Sequence, residues 1–235
     1  MNVFFTRHID PPYAFLEGEE AHHAARVLRK QVGEELAWVD GRGTFYTGRI
    51  EAISKKTVRL QILNSRSDFL ERSFQLHLAI APTKNIARFE WLLEKAVEVG
   101  VERITPLLCR HSERKQIRHD RLERILIAAM KQSGRARLPV LDELTPFGKF
   151  LSALQAPESV QKFIAHCAAD PQKKHFARCY QAGKDAIALI GPEGDFSAEE
   201  IAEAKEAGFT PVHLGPGRLR TETAGLVVAV LVANL

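Results

Sequence analysis

The sequence predicts an α/β protein: a small N-terminal β-barrel followed by a larger domain with a mostly parallel sheet. Three observations carry this reading. EELAWVD, TFYTGRIEAIS and TVRLQIL follow one another with only GRG and KK between them, so short turns join consecutive strands. From FQLHLAIA onward, strand-like runs alternate with helical ones, the pattern of a parallel sheet covered by helices. Between the two regimes lies NSRSDFLER (Asn64–Arg72), polar and without period, which sets the expected domains at 1–70 and 71–235.

In chain order, EEAHHAARVLRK reads as a short helix ahead of the strands. Gly41 and Gly43 mark a hairpin in which positive φ is cheap. Val58, Leu60 and Ile62 alternate with Thr57, Arg59 and Gln61, the period of a half-buried strand. FQLHLAIA is a strand and NIARFEWLLEKAVEVG a helix, with Ile86, Phe89, Leu93, Ala96 and Val97 on one face and Gly100 as its C-terminal cap. ERITPLLC is the next strand. RHDRLERILIAAMKQSG is a helix burying Leu122, Ile125, Leu126, Ala129 and Met130. FIAHC, AIALI and PVHLG are further strands.

A chain of 235 residues can bury a proper core, and its +4 charge with a pI near 9.0 leans toward a polyanionic partner. MNVFFTRHIDPP lacks the apolar core and cleavage site of a secretory signal. The most apolar run, Ala224–Leu235, is shorter than the ~18 residues of a membrane span, so a buried terminal helix and a cytoplasmic protein are expected. Cys109, Cys167 and Cys179 form no CxxC pair, which suits a reducing compartment. His22-His23 and the other histidines lack metal-ligand spacing, so no metal is expected. Cys167, at the end of FIAHC, is expected to be buried filler rather than a nucleophile.

The most informative segments are two turns of one design. LIGPEGDFSAEEI (Leu189–Ile201) and LGPGRLRTETAGLVVAV both leave an apolar strand at Gly-Pro and enter a helix. Ser197 and Glu200 form a capping box that starts a helix at Ala198, to end before Gly208. Neither a P-loop nor G-x-G-x-x-G is present, and Glu193 sits where a phosphate would want neutral or positive groups. A neutral or cationic ligand follows. The second turn crowds Arg218, Arg220, Thr221, Glu222 and Thr223 together. Helix capping by Thr221 or Thr223, with Glu222 at the positive helix end, accounts for those three residues but leaves the arginines unexplained. Ligands of parallel sheets bind beyond the carboxyl ends of the strands, where both turns sit, so the two turns are expected to hold one ligand.

LIGPEG-FS-EEI followed by HLGP--LRTETA resembles the ribosomal small-subunit RNA methyltransferase E family, a branch of the SPOUT methyltransferases. HHAARVLRKQVGEEL, VDGRGTFYTGRIEAISKKTVRLQIL, LEKAVEVGVERITPLLCRHSERK and QSGRARLP extend the resemblance over nearly the whole chain. It implies a PUA-like RNA-binding barrel and a C-terminal domain tied in a trefoil knot. It also implies S-adenosylmethionine bound in the knot, methylation of N3 of a uridine in 16S ribosomal RNA, and a homodimer formed through the knotted domain. The apolar run Leu226–Leu235 is then either part of that interface or core. The family's cofactor contacts fall on His166, Ile190, Gly191, Glu193 and Gly194, and on Leu214, Gly215, Leu219, Arg220, Thr221 and Thr223. A sulfonium cofactor agrees with an acid in the turn. Uridine N3 carries a proton, so Arg220 is the candidate to stabilise the developing anion and Glu222 the candidate to accept the proton.

The charge pattern proposes the RNA surface. Arg110, Arg114, Lys115 and Arg135, with Arg118, Arg121, Arg124, Lys131 and Arg137, make the middle of the chain basic. Arg26, Arg29 and Lys30 on the first helix, with Arg42, Lys55 and Lys56, add a second patch. Two departures stand out: Asp195 replaces the last glycine of the family's GPEGG, and Gly217-Arg218 stand where relatives have a basic and then an apolar residue. Aspartate tolerates left-handed geometry, so the turn survives. Lys84 matches a family lysine without an assigned role. Rival readings are another SPOUT enzyme, such as a ribose 2′-O-methyltransferase, and a non-catalytic RNA-binding or assembly protein of the same fold. A nucleotide-using α/β enzyme is disfavoured by the missing phosphate motifs.

Overall fold

The computed structural model describes residues 2–235. They form two compact units: residues up to Glu71 together with Ile127–Leu138, and Arg72–Leu126 together with Pro139–Leu235.

The first unit contains β1 (Val3–Phe5), β2 (Ile9–Asp10), β3 (Tyr13–Glu17), α1 (Gly18–His22), β4 (Glu35–Val39), β5 (Phe45–Ile53) and β6 (Thr57–Arg66). The strands form one curled sheet in the order β1-β4-β5-β6-β3-β2, antiparallel except for β1 on β4. Its core is Phe4, Leu16, Trp38, Ile50 and Leu60, the inward half of each alternating pattern. Register shifts at Thr47/Gly48 and Ile50/Ala52 bend β5 against β6. Gly48 is required there because a Cβ would run into the Gln61 carbonyl and the Trp38 ring. The helix expected over EEAHHAARVLRK is shorter and widened: after α1 a π-helical turn, His23–Val27, closes with Leu28 N donating to His23 O at 2.9 Å. Arg29, at φ 52°, then turns the chain out.

A division into two consecutive blocks omits Ile127–Leu138, which belongs with the first unit. Gly43 N donates to Ala136 O (3.1 Å), Arg137 grips both carboxylate oxygens of Glu71 (2.8 Å each), and Lys131 pairs with Glu20. These partners lie 66 and 111 residues away along the chain. No local pattern reveals them.

The second unit contains β7 (Leu76–Ile80), α2 (Ile86–Val99), β8 (Arg103–Leu108), β9 (Val140–Leu141), β10 (Thr145–Pro146), α4 (Phe147–Ala153), β11 (Gln161–Ala165), β12 (Lys174–His175), α5 (Phe176–Cys179), β13 (Ala186–Ile190), α6 (Ala198–Glu206), β14 (Thr210–His213) and α7 (Thr221–Asn234). Between β8 and β9, α3 (His119–Ser133) starts in this unit and ends in the first. The sheet runs β10-β8-β7-β13-β11-β14-β12 with β9 beside β8, and every pair is parallel. Central β13, AIALI, is buried throughout, as an apolar run covered on both faces must be.

Helix α2 is capped by the Asn85 side chain, which accepts from Ala87 N at 3.1 Å, and ends at Gly100 with φ 93°. It buries Phe89, Leu92, Leu93, Ala96 and Val97. Helix α3 buries Leu122, Leu126, Ala129 and Met130, with Ile125 half-buried. The capping box of α6 is present in both directions, Ser197 N to Glu200 Oε2 (2.9 Å) and Glu200 N to Ser197 Oγ (3.2 Å). After β14 the chain returns to lay α7 on β13, β7 and α2. Gly225 permits the approach, since a Cβ there would lie 2.7 Å from Ile80 Cδ1. Among the described residues no helix is long and apolar enough to cross a membrane.

Candidate functional site

The carboxyl ends of β11, β13 and β14 surround a cavity of about 490 Å³. Both Gly-Pro turns line it, so the two turns do converge on one space. The first turn is held from four directions. Lys84 N, after β7, donates to Glu193 Oε1 at 2.8 Å. The His111 ring, after β8, donates from Nδ1 to Asp195 O at 3.1 Å. Cys167 N, after β11, donates to Asp195 Oδ2 at 2.7 Å. Thr221 Oγ1, at the start of α7, donates to Gly191 O at 3.1 Å. Three neighbouring strand ends and the start of α7 thus each fix part of one turn. That is preorganisation: the cavity wall is set before any ligand arrives.

Asp195 takes φ 64°, the left-handed geometry expected of it, and its second carboxylate oxygen accepts from Phe196 N at 2.9 Å. The substitution for glycine therefore adds a strap to the β11 end. Glu200 extends the framework, with Oε1 accepting from Arg110 N at 2.8 Å. Beside it, burial pushes the Cys109 thiol pKa well above its ordinary range, helped by the Glu200 charge, so this cysteine stays protonated and inert.

His166 is the electrostatic peculiarity of the cavity. It is 6% exposed, and neither ring nitrogen has a hydrogen-bond partner. Burial first, then the Lys173 cation, lowers its pKa, so the ring is neutral at pH 7 and offers one donor and one acceptor. Lys173 reaches the adjoining backbone, donating to His166 O (3.0 Å) and Ala168 O (2.6 Å). A buried imidazole with two unused ring nitrogens is costly unless something polar fills the space beside it.

Of the candidate cofactor residues, the cavity brings together His166, Ile190, Gly191, Glu193, Leu214, Gly215, Leu219, Arg220 and Thr221. Gly194 and Thr223 do not line it. Gly194 lies against His111, whose Cβ would stand 2.9 Å from an added Cβ. Thr223 faces a smaller cavity with Arg88, Trp91 and Glu222, and Arg220 lines both. The capping roles considered for the threonines are also corrected. Arg220 is the N-cap residue of α7, without a side-chain cap bond, and Thr221 is already helical, its hydroxyl turned to Gly191. Glu222 is 6% exposed, with Arg88 Nε 3.9 Å from its Oε1. Cys167 is exposed rather than buried: it lines the cavity, where its backbone N donates to Asp195. Sequence reasoning did not single out Lys173, and no periodic or spacing signal marks it.

The basic candidates separate into engaged and exposed groups. Arg114 donates to Thr83 O (2.9 Å) and Lys84 O (2.5 Å), Arg121 grips Glu90 (2.6 and 2.9 Å), and Lys30 pairs with Glu34 (2.6 Å). Arg135 reaches Leu70 O at 3.4 Å within the first unit. Arg110 and Lys115 in the second unit, and Arg26 and Arg29 in the first, are exposed. Among the described residues no group of His, Cys, Asp and Glu is placed to hold a metal ion.

Comparison with known proteins adds the family. Residues 70–233 match the model described as RNA methyltransferase domain, and residues 16–63 match the RNA methyltransferase PUA domain. A curated relative from Synechocystis sp. (strain ATCC 27184 / PCC 6803 / Kazusa), a ribosomal RNA small subunit methyltransferase E, is 30% identical over 88% of this chain and 68% of its own. A crystal structure described as a probable rRNA-methyltransferase, from Porphyromonas gingivalis, is 40% identical over 97% of this chain and 95% of that one, with a TM-score of 0.88. The ribosomal RNA small subunit methyltransferase E of Neisseria gonorrhoeae, solved bound to S-adenosyl methionine, is 27% identical over 97% of this chain and 95% of its own, with a TM-score of 0.83.

Proposed function

The chain belongs to the RNA methyltransferase family of these ribosomal small-subunit enzymes, and from that premise we propose that it uses S-adenosylmethionine to methylate N3 of a uridine in 16S ribosomal RNA. The observation that carries the proposal is the convergence of both Gly-Pro turns on one cavity beside a buried, unpartnered His166. The residues present suit the cofactor. His166 offers polar ring atoms to a polar ligand. The turns offer backbone groups at Gly191 and Gly215, and Leu214 and Leu219 give apolar surface. When bound, the cofactor supplies an electrophilic methyl group on a sulfonium sulfur.

The protein's own part is alignment and proton handling. Arg220, on the wall of both cavities, stabilises negative charge as it develops on the base. Glu222, in the neighbouring cavity, accepts the N3 proton. The apolar α7 leaves Val230 exposed and Leu226, Val227 and Leu231 half-buried, and with the exposed Leu235 just past its end this is the surface we assign to a homodimer. The exposed cations Arg26, Arg29, Arg110 and Lys115 supply phosphate contacts. A cytoplasmic enzyme follows from a ribosomal substrate.

The test is a pair of measurements. Titration calorimetry should show S-adenosylmethionine binding, and the purified protein should methylate small-subunit RNA from cells lacking it, at a uridine N3 mapped by mass spectrometry. Arg220→Ala and Glu222→Gln should each lower kcat by about 10²-fold or more. Cofactor binding without any methylation would favour the non-catalytic RNA-binding reading. Full activity in either variant would remove that residue's role.

A further inference from the structure

The smaller cavity, about 360 Å³, lies between the first turns of α2 and the start of α7, and is lined by Ala87, Arg88, Trp91, Arg220, Glu222 and Thr223. Three of its features are unexplained by folding. Trp91 is 43% exposed, although α2 buries its other large apolar residues from Phe89 to Val97. Glu222 is nearly buried, yet among the described residues its carboxylate receives no hydrogen bond. Arg88, 3.9 Å away, is too distant to give one. Arg220 closes the wall shared with the larger cavity.

The chemistry of the lining matches one base. Uracil presents an acceptor, a donor and an acceptor along O4, N3–H and O2. The cavity presents two guanidinium donors, on Arg88 and Arg220, and one carboxylate acceptor, on Glu222. Cytosine would bring an amino group toward a guanidinium and no N3 proton for the carboxylate. The buried member of this set is Glu222, and a base without an N3 proton leaves that carboxylate unpaired, which is what rejects cytosine; the exposed Arg88 and Arg220 add the flanking donors. The indole of Trp91 adds a flat face of the kind on which bases stack.

We propose that this cavity holds the target uracil, with Trp91 as its stacking platform and Arg88 as the positioning residue that, with Arg220 and Glu222, selects uracil over cytosine. The inference rests on the uridine-N3 reading above. It adds a recognition site outside the cofactor cavity, which neither Trp91 nor Arg88 lines.

The test uses the full-length protein with two kinds of readout. Trp38, the other tryptophan, is fully buried in the first unit, so emission changes on adding a uridine-containing hexanucleotide report Trp91. The expected result is saturable quenching by the uridine hexamer, much weaker quenching by its cytidine counterpart, and none in Trp91→Phe. In methylation of small-subunit RNA, Trp91→Ala should raise KM about tenfold or more, and Trp91→Phe should recover most of the loss. Arg88→Ala should bring uridine-hexamer binding down to the cytidine level. S-adenosylmethionine affinity and melting temperature should stay at wild-type values throughout. Wild-type KM in Trp91→Ala, or emission unmoved by RNA at saturating concentration, would overturn the proposal while leaving the methyltransferase reading intact. Trp91→Ala running as a monomer where the wild type is a dimer would reassign the indole to subunit contact and overturn it as well. Wild-type protein inactive on small-subunit RNA would overturn both readings.

Discussion

Thr221 and Gly191 join the two Gly-Pro turns directly: the hydroxyl of the first residue of α7 donates to the Gly191 carbonyl over 3.1 Å, and both residues are buried. The contact ties the cavity wall to the helix that carries Glu222. Thr221→Val keeps the shape and removes the donor, leaving a buried carbonyl short of a partner. We expect a loss of about 1–2 kcal/mol in stability. Cofactor affinity should fall roughly tenfold, the equivalent of ~1.4 kcal/mol. Thr221→Ser should retain both. Denaturant unfolding and calorimetry on the two variants decide it, and a valine variant equal to wild type in both would show the bond to be incidental.

Asp195 combines an unusual backbone geometry with a side-chain strap, and the two separate by substitution. Asp195→Gly relieves the left-handed φ of 64° but loses the 2.7 Å bond to Cys167 N. Asp195→Ala loses the bond and leaves a Cβ in a region that costs ~1 kcal/mol or more. The expected order of stability and cofactor affinity is wild type, then Gly, then Ala, with Ala about 2 kcal/mol below wild type. A glycine variant binding S-adenosylmethionine more tightly than wild type would mean the strap does not serve the cofactor wall.

These two residues also mark how far the sequence could be read. The tolerance of Asp195 for left-handed backbone is a local property and was legible. Its partner Cys167 N lies 28 residues away and was not. The capping box at Ser197 and Glu200, the cap at Gly100 and the alternation of β6 follow from neighbours in the chain, and all are present. Thr221 failed as a cap because tertiary contact with Gly191 claimed the hydroxyl that a local rule assigned to the helix end. The resemblance pointed to a shared pocket. Which of its residues face the cavity and which face away, as Gly194 and Thr223 do, depends on packing that no spacing encodes.

At the opposite end of the parallel sheet, His77 predicts an acid-sensitive fold. Its Nε2 lies 2.7 Å from Thr105 Oγ1, and that hydroxyl donates to Asp142 Oδ2, so Nε2 is the donor to Thr105. Burial, then the Arg103 charge, lowers its pKa from 6.5 to about 4. The unfolded chain therefore binds the proton more readily than the folded one. Stability is full above the unfolded value of ~6.5 and falls as pH drops toward 4, by about 3 kcal/mol. Burial alone would raise the Asp142 carboxyl, but Arg103 and Thr105 outweigh it and hold that pKa below the usual range, so its own loss comes at still lower pH. His77→Gln keeps a donor toward Thr105 and should flatten the unfolding free energy between pH 6.5 and 4. An unchanged pH profile in that variant would assign the sensitivity elsewhere.

Arg110 and Arg114 are alike in the basic pattern of the sequence, and the structure assigns them different work. The Arg114 guanidinium spans two backbone carbonyls, Thr83 and Lys84, and so braces the loop that in turn donates to Glu193. The Nε and one Nη2 donor that fix its position are committed before any phosphate arrives. The Arg110 side chain is 68% exposed, with Glu199 4.0 Å away, and retains donors for an anion. Arg110→Ala should therefore weaken binding to small-subunit RNA and lower the slope of log K against log salt by about 1. Arg114→Ala should leave that slope unchanged, while costing about 1–2 kcal/mol in stability and loosening cofactor binding through Lys84 and Glu193. Salt titrations of RNA binding, run beside thermal melts, separate the two. An Arg114 variant with wild-type stability and a reduced salt slope would return that residue to the RNA surface.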